Sequence, residues 1–349
     1  MARRSRTPLF ARSTAAWSRS VQRTLKALTR AATKTGAKTV RQATARVVKA
    51  TKAPRPAPAP RKPAAGAGGW TRGVAVGAGG ARRYQLYRPP GARKSARLPL
   101  LVMLHGCSQD AKAFARSTRM HRLAAREGFF VLCPEQERLA NAQGCWNWFD
   151  TRSGRAQAEA ASIVAAIDRV CTLHGADPQR VAVAGLSAGA SLAALLALRH
   201  PERFKAVAMH SGIAPGAAQS SATALAAMQG RRAPAALPES VGLPPLLVIH
   251  GTADAIVRER NGRAAAEVWA AACDAHATAP RVVQRGARHA MTVTDYKHRS
   301  RVLVSLCEIA GLGHAWSGGA AGQPYSDPKG PDASRMVWAF AARQFRAAG

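Results

Sequence analysis

The sequence predicts an α/β fold: a mostly parallel sheet with helices on both faces, preceded by a disordered basic N-terminal arm. Three observations predict it. Strand-length apolar runs alternate with longer helix-compatible segments from residue 83 to the C-terminus. Those strand runs are apolar throughout, as expected of strands covered on both faces. Residues 1–70 hold 17 of the 52 Lys and Arg and none of the 18 Asp and Glu, so they read apart from the remainder.

The elements follow in order. Residues 1–52 mix Lys and Arg with Ala, Thr and Val. Val21, Leu25, Leu28, Ala32, Val40, Ala43 and Val47 recur loosely every three or four positions, a spacing that suits a basic amphipathic helix on a surface. In isolation this much like charge favours disorder. Residues 54–69, rich in Pro, Ala and Gly, read as an extended, semi-stiff linker. The expected division is therefore an arm and linker over 1–70 and a folded domain over 71–349.

Within that domain, 83–87 and 98–105 read as strands, 111–127 as a helix and 129–133 as a strand ending at Pro134-Glu135. A helix over 156–173 leads to a strand at Val181 and an Ala/Leu-rich helix over 190–199. Strands follow at 205–210, 245–250 and 302–310, with helices at 263–275 and 333–347. Residues 214–244, rich in Ala, Gly, Ser and Pro, read as an insertion that caps a cleft. The longest apolar runs fall well short of the roughly 20 residues of a membrane span. The N-terminus has charge but no signal-length apolar core, because Pro8-Leu9-Phe10 is interrupted by Arg12. The six cysteines form no C-x-x-C pattern, so no metal site is expected.

The chemistry concentrates in Gly185-Leu186-Ser187-Ala188-Gly189, which follows a strand and opens a helix. A hydroxyl is a weak nucleophile unless held and activated. A sharp strand-to-helix turn projects it, glycines relieve crowding, and the helix N-terminus faces the developing charge. A serine there needs a carboxylate, then a histidine, later in the chain. Asp254 lies just past the strand ending in His250-Gly251, and His314 lies between glycines after the strand at 302–310. Earlier, Leu104-His105-Gly106-Cys107 ends another strand. The backbone N–H groups of Cys107 and Ala188 would hold an oxyanion there. His105 and His250 read as structural groups beside their turns.

Leu104-His105-Gly106-Cys107, Cys145-Trp146-Asn147-Trp148-Phe149, the Ser187 pentapeptide, His250-Gly251 with Asp254, and Gly313-His314-Ala315-Trp316 together resemble the poly(3-hydroxybutyrate) depolymerase family of esterases, which also holds feruloyl and acetylxylan esterases. The resemblance covers about residues 80–345. It implies an α/β-hydrolase fold, carboxylic-ester hydrolysis, a Ser187–Asp254–His314 triad and no metal or organic cofactor. The chain departs from the family at Trp316-Ser317-Gly318, where Trp-Pro-Gly is frequent, and in lacking a recognisable secretion signal. The resemblance implies an extracellular location; the missing signal leaves a cytoplasmic one as the alternative.

Trp146, Trp148, Phe149, Trp316 and Tyr325 are candidate substrate contacts. Trp316, beside His314, is the first choice for lining the site and Trp148 the second; Trp146 and Trp148 equally suit a core. Among the cysteines, Cys107 with Cys145 is the preferred pair, since both would sit by the active site. Cys273 with Cys307 comes next, and buried free thiols are the alternative. The ester stays open: hydroxybutyrate polymer or oligomers, feruloyl, acetyl or other short chains. A surface-tethered binding protein with secondary catalysis is the reading from another class. For the arm, a polyester granule, an anionic membrane and nucleic acid are the candidate partners, beside a solvated tail or targeting segment.

Overall fold

A computed structural model describes residues 68–238 and 242–347. Nearly all of the basic arm lies outside the described residues. The described chain begins with a hairpin, β1 (Gly69–Gly77) and β2 (Gly80–Arg88), followed by β3 (Leu98–Leu104), α1 (Ala111–Thr118), α2 (Met120–Glu127) and β4 (Phe130–Pro134). Then come α3 (Arg155–His174), β5 (Ala176–Leu186), α4 (Ala188–Arg199), β6 (Ala206–His210), α5 (Ser221–Met228), β7 (Leu246–Gly251) and α6 (Arg260–Ala272). The chain closes with β8 (His276–Ala277), β9 (Arg281–Val283), β10 (Met291–His298), β11 (Arg301–Ile309), β12 (Trp316–Ser317), β13 (Ser326–Asp327) and α7 (Ala333–Ala347).

The main sheet runs β1-β2-β4-β3-β5-β6-β7-β11-β10-β8, with β9 on β10. From β4 to β11 every neighbour is parallel, and the flanking hairpins are antiparallel. Strand residues alternate between two apolar layers. Leu100, Val102 and Leu104 pack with α3, α4 and α6; Leu101 and Met103 pack with α1, α2 and α7. A core on each face is why the central strands are apolar at every position. All six parallel strands end at one edge, where the loops carrying Cys107, Ser187, Asp254 and His314 emerge.

One local expectation changes. The helix expected over 111–127 breaks at Arg119, which adopts φ 52°. No Gly or Pro marks the break. It frees the carbonyls of Ser117 and Thr118, which accept from the Ala320 N–H (2.8 Å) and the Ser334 hydroxyl (2.7 Å). The Arg119 guanidinium donates to the Gly318 carbonyl at 2.9 Å. The break is therefore specified by the later loop that carries His314.

The described parts of the insertion, 214–238 and 242–244, pack on the body. Ala214, Ala217, Ala218, Ala224, Ala227, Leu237 and Leu243 are buried in the α3/α4 layer, and a Ser220–Thr223 capping box starts α5. Its small residues serve close packing.

Candidate active site

The strand-to-helix turn follows from two glycines. A Cβ on Gly185 would lie 2.3 Å from the Gly189 carbonyl carbon, and one on Gly189 would lie 2.2 Å from the Leu104 carbonyl oxygen. Only glycine lets α4 start this close to β3 and β5. Between them Ser187 takes φ 57°, ψ −121°, a conformation rare for a residue with a side chain. Its N–H donates to the His210 carbonyl at 2.9 Å. Among the described residues its hydroxyl makes no hydrogen bond, to His314 or to any other group.

Asp254 and His314 are brought together. His314 Nδ1 lies 2.8 Å from Asp254 Oδ2, and the Asp254 side chain has no exposed surface. The other carboxylate oxygen accepts from the N–H groups of Ile256 (3.0 Å) and Val257 (2.9 Å). Burial pushes the Asp254 carboxyl up, but the His314 hydrogen bond, the two nearby histidines and the Val257 N–H outweigh it and hold the group below its ordinary range. The two loops are also joined along their backbones: Thr252 N–H to Ile309 O (3.0 Å), Ala253 N–H to Leu312 O (3.1 Å), and Gly311 N–H to the Thr252 hydroxyl (3.0 Å).

On the other side, the loop after β3 lies against the serine. A Cβ on Gly106 would be 3.6 Å from Ser187 Cβ. The N–H of Gly106 is taken by Gln109 Oε1 (3.0 Å), that of Ser108 by Gln143 O (2.9 Å) and that of Gln109 by Gly106 O (3.3 Å). Among the described residues the N–H groups of Cys107 and Ala188 have no acceptor. Two backbone donors left open, one next to Ser187 in sequence and one on the loop that lies against it, can receive an oxyanion.

The bridge Cys107–Cys145 is present and ties this loop to the segment before Trp146. Cys273 and Cys307, the second candidate pair, are free thiols. Cys273 packs with the α3/α4 layer and Cys307 with the α1/α7 layer, so the sheet separates them.

Trp316 does not line the site. It is 1% exposed, its indole N–H donates to the Ser334 hydroxyl (3.1 Å), and its ring packs between Phe114 and His210. It opens β12, and its side chain turns into the core. Trp148, the other candidate, is 9% exposed and sits edge-on to Phe149 in the α3/α4 layer.

Three supporting groups were not singled out by the sequence. Gln109 holds the loop after β3 as described. His210 ends β6, as His105 directly follows β3 and His250 is the penultimate residue of β7, a repeated histidine near strand ends that was the available signal. His210 Nε2 accepts from the Ser317 N–H at 3.1 Å, which places the ring proton on Nδ1, next to the Ser211 hydroxyl. Glu159 accepts from Gln136 Nε2 (2.5 Å), the Asn147 N–H (2.8 Å) and Asn147 Nδ2 (2.6 Å). Gln136 N–H in turn donates to His105 Nε2 (3.1 Å), and the His105 carbonyl accepts the Trp146 indole N–H (2.9 Å). Burial lowers His105 to about 4 and His210 to about 3, so both are neutral at pH 7. Among the described residues, no three His, Cys, Asp or Glu side chains converge as metal ligands would. No helix there is long and apolar enough to cross a membrane.

Residues 82–280 match the family profile of esterase PHB depolymerase. The chain belongs to that family. Among curated relatives of the chain, poly(3-hydroxyalkanoate) depolymerase C of Paucimonas lemoignei is 36% identical over 129 residues, 37% of this chain and 31% of the relative. Feruloyl esterase B of Neurospora crassa is 28% identical over 188 residues, 49% of this chain and 63% of the relative. The match thus spans less than two thirds of either relative. Among solved structures, an acetyl xylan esterase from Aspergillus awamori superposes with a TM-score of 0.58 at 19% identity, covering 71% of this chain and 94% of that one. An S-formylglutathione hydrolase from Agrobacterium tumefaciens gives 0.50 at 19% identity, covering 81% and 95%. The fold is that of the α/β hydrolases.

Proposed function

We propose that this chain is a serine esterase that hydrolyses carboxylic esters through an acyl-enzyme on Ser187. The observation that supports the reading most is the buried Asp254–His314 pair at 2.8 Å, set at the same sheet edge as a serine on a sharp, positive-φ turn. His314 takes the Ser187 proton as the oxygen attacks the ester carbonyl. Asp254 orients the imidazole and stabilises its cation. The N–H groups of Cys107 and Ala188 receive the oxyanion. As the tetrahedral intermediate collapses, His314 gives the proton to the departing alcohol. A water, deprotonated by His314, then attacks the acyl-serine. Collapse returns the proton to Ser187 and releases the acid.

The substrate proposed first is hydroxybutyrate polymer or oligomers or a related short-chain ester, in line with the relative named a poly(3-hydroxyalkanoate) depolymerase. Feruloyl and acetylxylan esters are the alternatives, since another relative is named a feruloyl esterase. The test is a panel of p-nitrophenyl esters, hydroxybutyrate oligomers, solid polymer, methyl ferulate and acetylated xylan, run with wild type and Ser187→Ala. Turnover in the variant should fall by several orders of magnitude, on the ~10⁶-fold scale of a comparable triad knockout. Unchanged turnover would refute the assignment. The same panel run without residues 1–70 asks whether the arm, which carries 17 Lys and Arg, acts as a surface anchor for solid polymer.

A further inference from the structure

Tyr325 stands beside His314 with its backbone carbonyl bonded and its hydroxyl free of protein partners among the described residues. Its φ is 52°, an uncommon value for a bulky side chain. The contacts around it hold it there. Its carbonyl accepts the Trp316 N–H at 2.8 Å, and the next residue, Ser326, pairs with Trp316 across β12 and β13. Just before it, the Pro324 carbonyl accepts from the Ser117 hydroxyl (3.3 Å) and Gln323 Oε1 accepts from Arg116 (3.3 Å). A backbone pinned on both sides fixes where the ring points. The ring meets the His314 imidazole edge-on, centroids 6.4 Å apart at 86°.

The phenol is half-buried, yet its hydroxyl has no hydrogen-bond partner among the described residues. Burial holds it above the usual range, so it is a neutral donor at pH 7. The hydroxyl is not among the buried unpaired polar atoms, so it opens to solvent, where a ligand can meet it. Its place relative to the reaction is informative. The acyl oxygen is received on the side of Cys107 and Ala188, whereas the leaving alcohol takes its proton from His314. A group against the imidazole therefore borders the alcohol half of the ester.

We propose that Tyr325 is a specificity-determining residue for that half: its hydroxyl hydrogen-bonds a second oxygen carried by the alcohol near the scissile bond. The proposal rests on the esterase reading above. The test measures kcat/KM for propyl acetate, 2-methoxyethyl acetate and 2-hydroxyethyl acetate with wild type and Tyr325→Phe. These esters share an acyl group and differ in the alcohol's second oxygen. Tyr325→Phe should lower kcat/KM roughly 3- to 10-fold for the two oxygenated esters, the scale of one hydrogen bond, and leave propyl acetate within about 2-fold. The propyl ester also reports that the variant is folded and its triad intact. Equal loss on all three, or no loss on any, overturns the proposal while leaving the esterase reading standing. Hydrolysis of none of the three by the wild type, with none in the wider ester panel, sinks the esterase reading and this proposal together.

Discussion

His210 Nε2 accepts the Ser317 backbone N–H at 3.1 Å, while the His210 carbonyl accepts the Ser187 N–H at 2.9 Å. One buried residue thus holds both the turn that carries Ser187 and the loop that carries His314. His210→Phe keeps a ring against Trp316 but removes the acceptor. It leaves a buried N–H unpaired, at a cost of roughly 1–3 kcal/mol. The expected outcome is a lower denaturation midpoint and a fall in kcat larger than any rise in KM. Wild-type kcat in this variant would show that the loop needs no such tie.

Gln109 acts on the opposite side, where its Oε1 occupies the Gly106 N–H next to Cys107. Gln109→Ala frees that loop, and kcat should fall by roughly 10-fold or more, short of the ~10²–10³ reported for deleting an oxyanion donor outright. Gln109→Glu keeps the acceptor but sets a negative charge near the developing oxyanion, so its kcat should also fall. Steady-state kinetics on one p-nitrophenyl ester separates the two. Recovery of full kcat by the Glu variant would show that only the acceptor matters.

The Cys107–Cys145 bridge closes a loop of 38 residues in sequence separation, which stabilises by about 2–4 kcal/mol on closure entropy. The double substitution Cys107→Ser, Cys145→Ser should lower the melting temperature and, because the Cys107 N–H is the proposed oxyanion donor, also kcat. Thermal melts and kinetics on the same preparation check both. A stability loss with unchanged kcat would assign the bridge to the fold alone.

Much of the fold was legible because parallel strands buried on both faces are apolar at every position, as at Leu100–Leu104 and Leu246–Ile249. The chain order Ser187, Asp254, His314 was legible because each follows such a strand. The antiparallel flanks were not: β1 and β10 carry exposed Thr, Arg and Lys and lack an apolar run. The break at Arg119 was hidden because its cause lies some 200 residues away, at Gly318 and Ala320. The direction of Trp316 was equally hidden, since adjacency to His314 in sequence says nothing about which way a short strand turns its side chain. Cys273 and Cys307 looked pairable only until the sheet between them was known.

The buried histidines give the protein an acid limit. His105 and His210 titrate at about 4 and about 3 in the fold, against 6.5 when unfolded. Below pH 6.5 the unfolded chain binds protons that the fold excludes, so stability present above that pH is lost as pH falls. Each histidine contributes a slope of about 1.4 kcal/mol per pH unit, His105 down to about pH 4 and His210 down to about pH 3. Asp254, held below its ordinary range, adds to the loss at still lower pH. Urea midpoints between pH 7 and 4 should decline throughout; a flat profile across that window would contradict neutral burial of these rings.

The central claim is that Ser187 is a nucleophile activated by His314. Its most direct measurement is covalent: incubation with diisopropyl fluorophosphate, followed by intact-protein and peptide mass spectrometry. The expected result is a single adduct mapped to Ser187, absent from Ser187→Ala and formed far more slowly in His314→Ala. An adduct on another residue, or labelling of Ser187→Ala to the same extent, would contradict it.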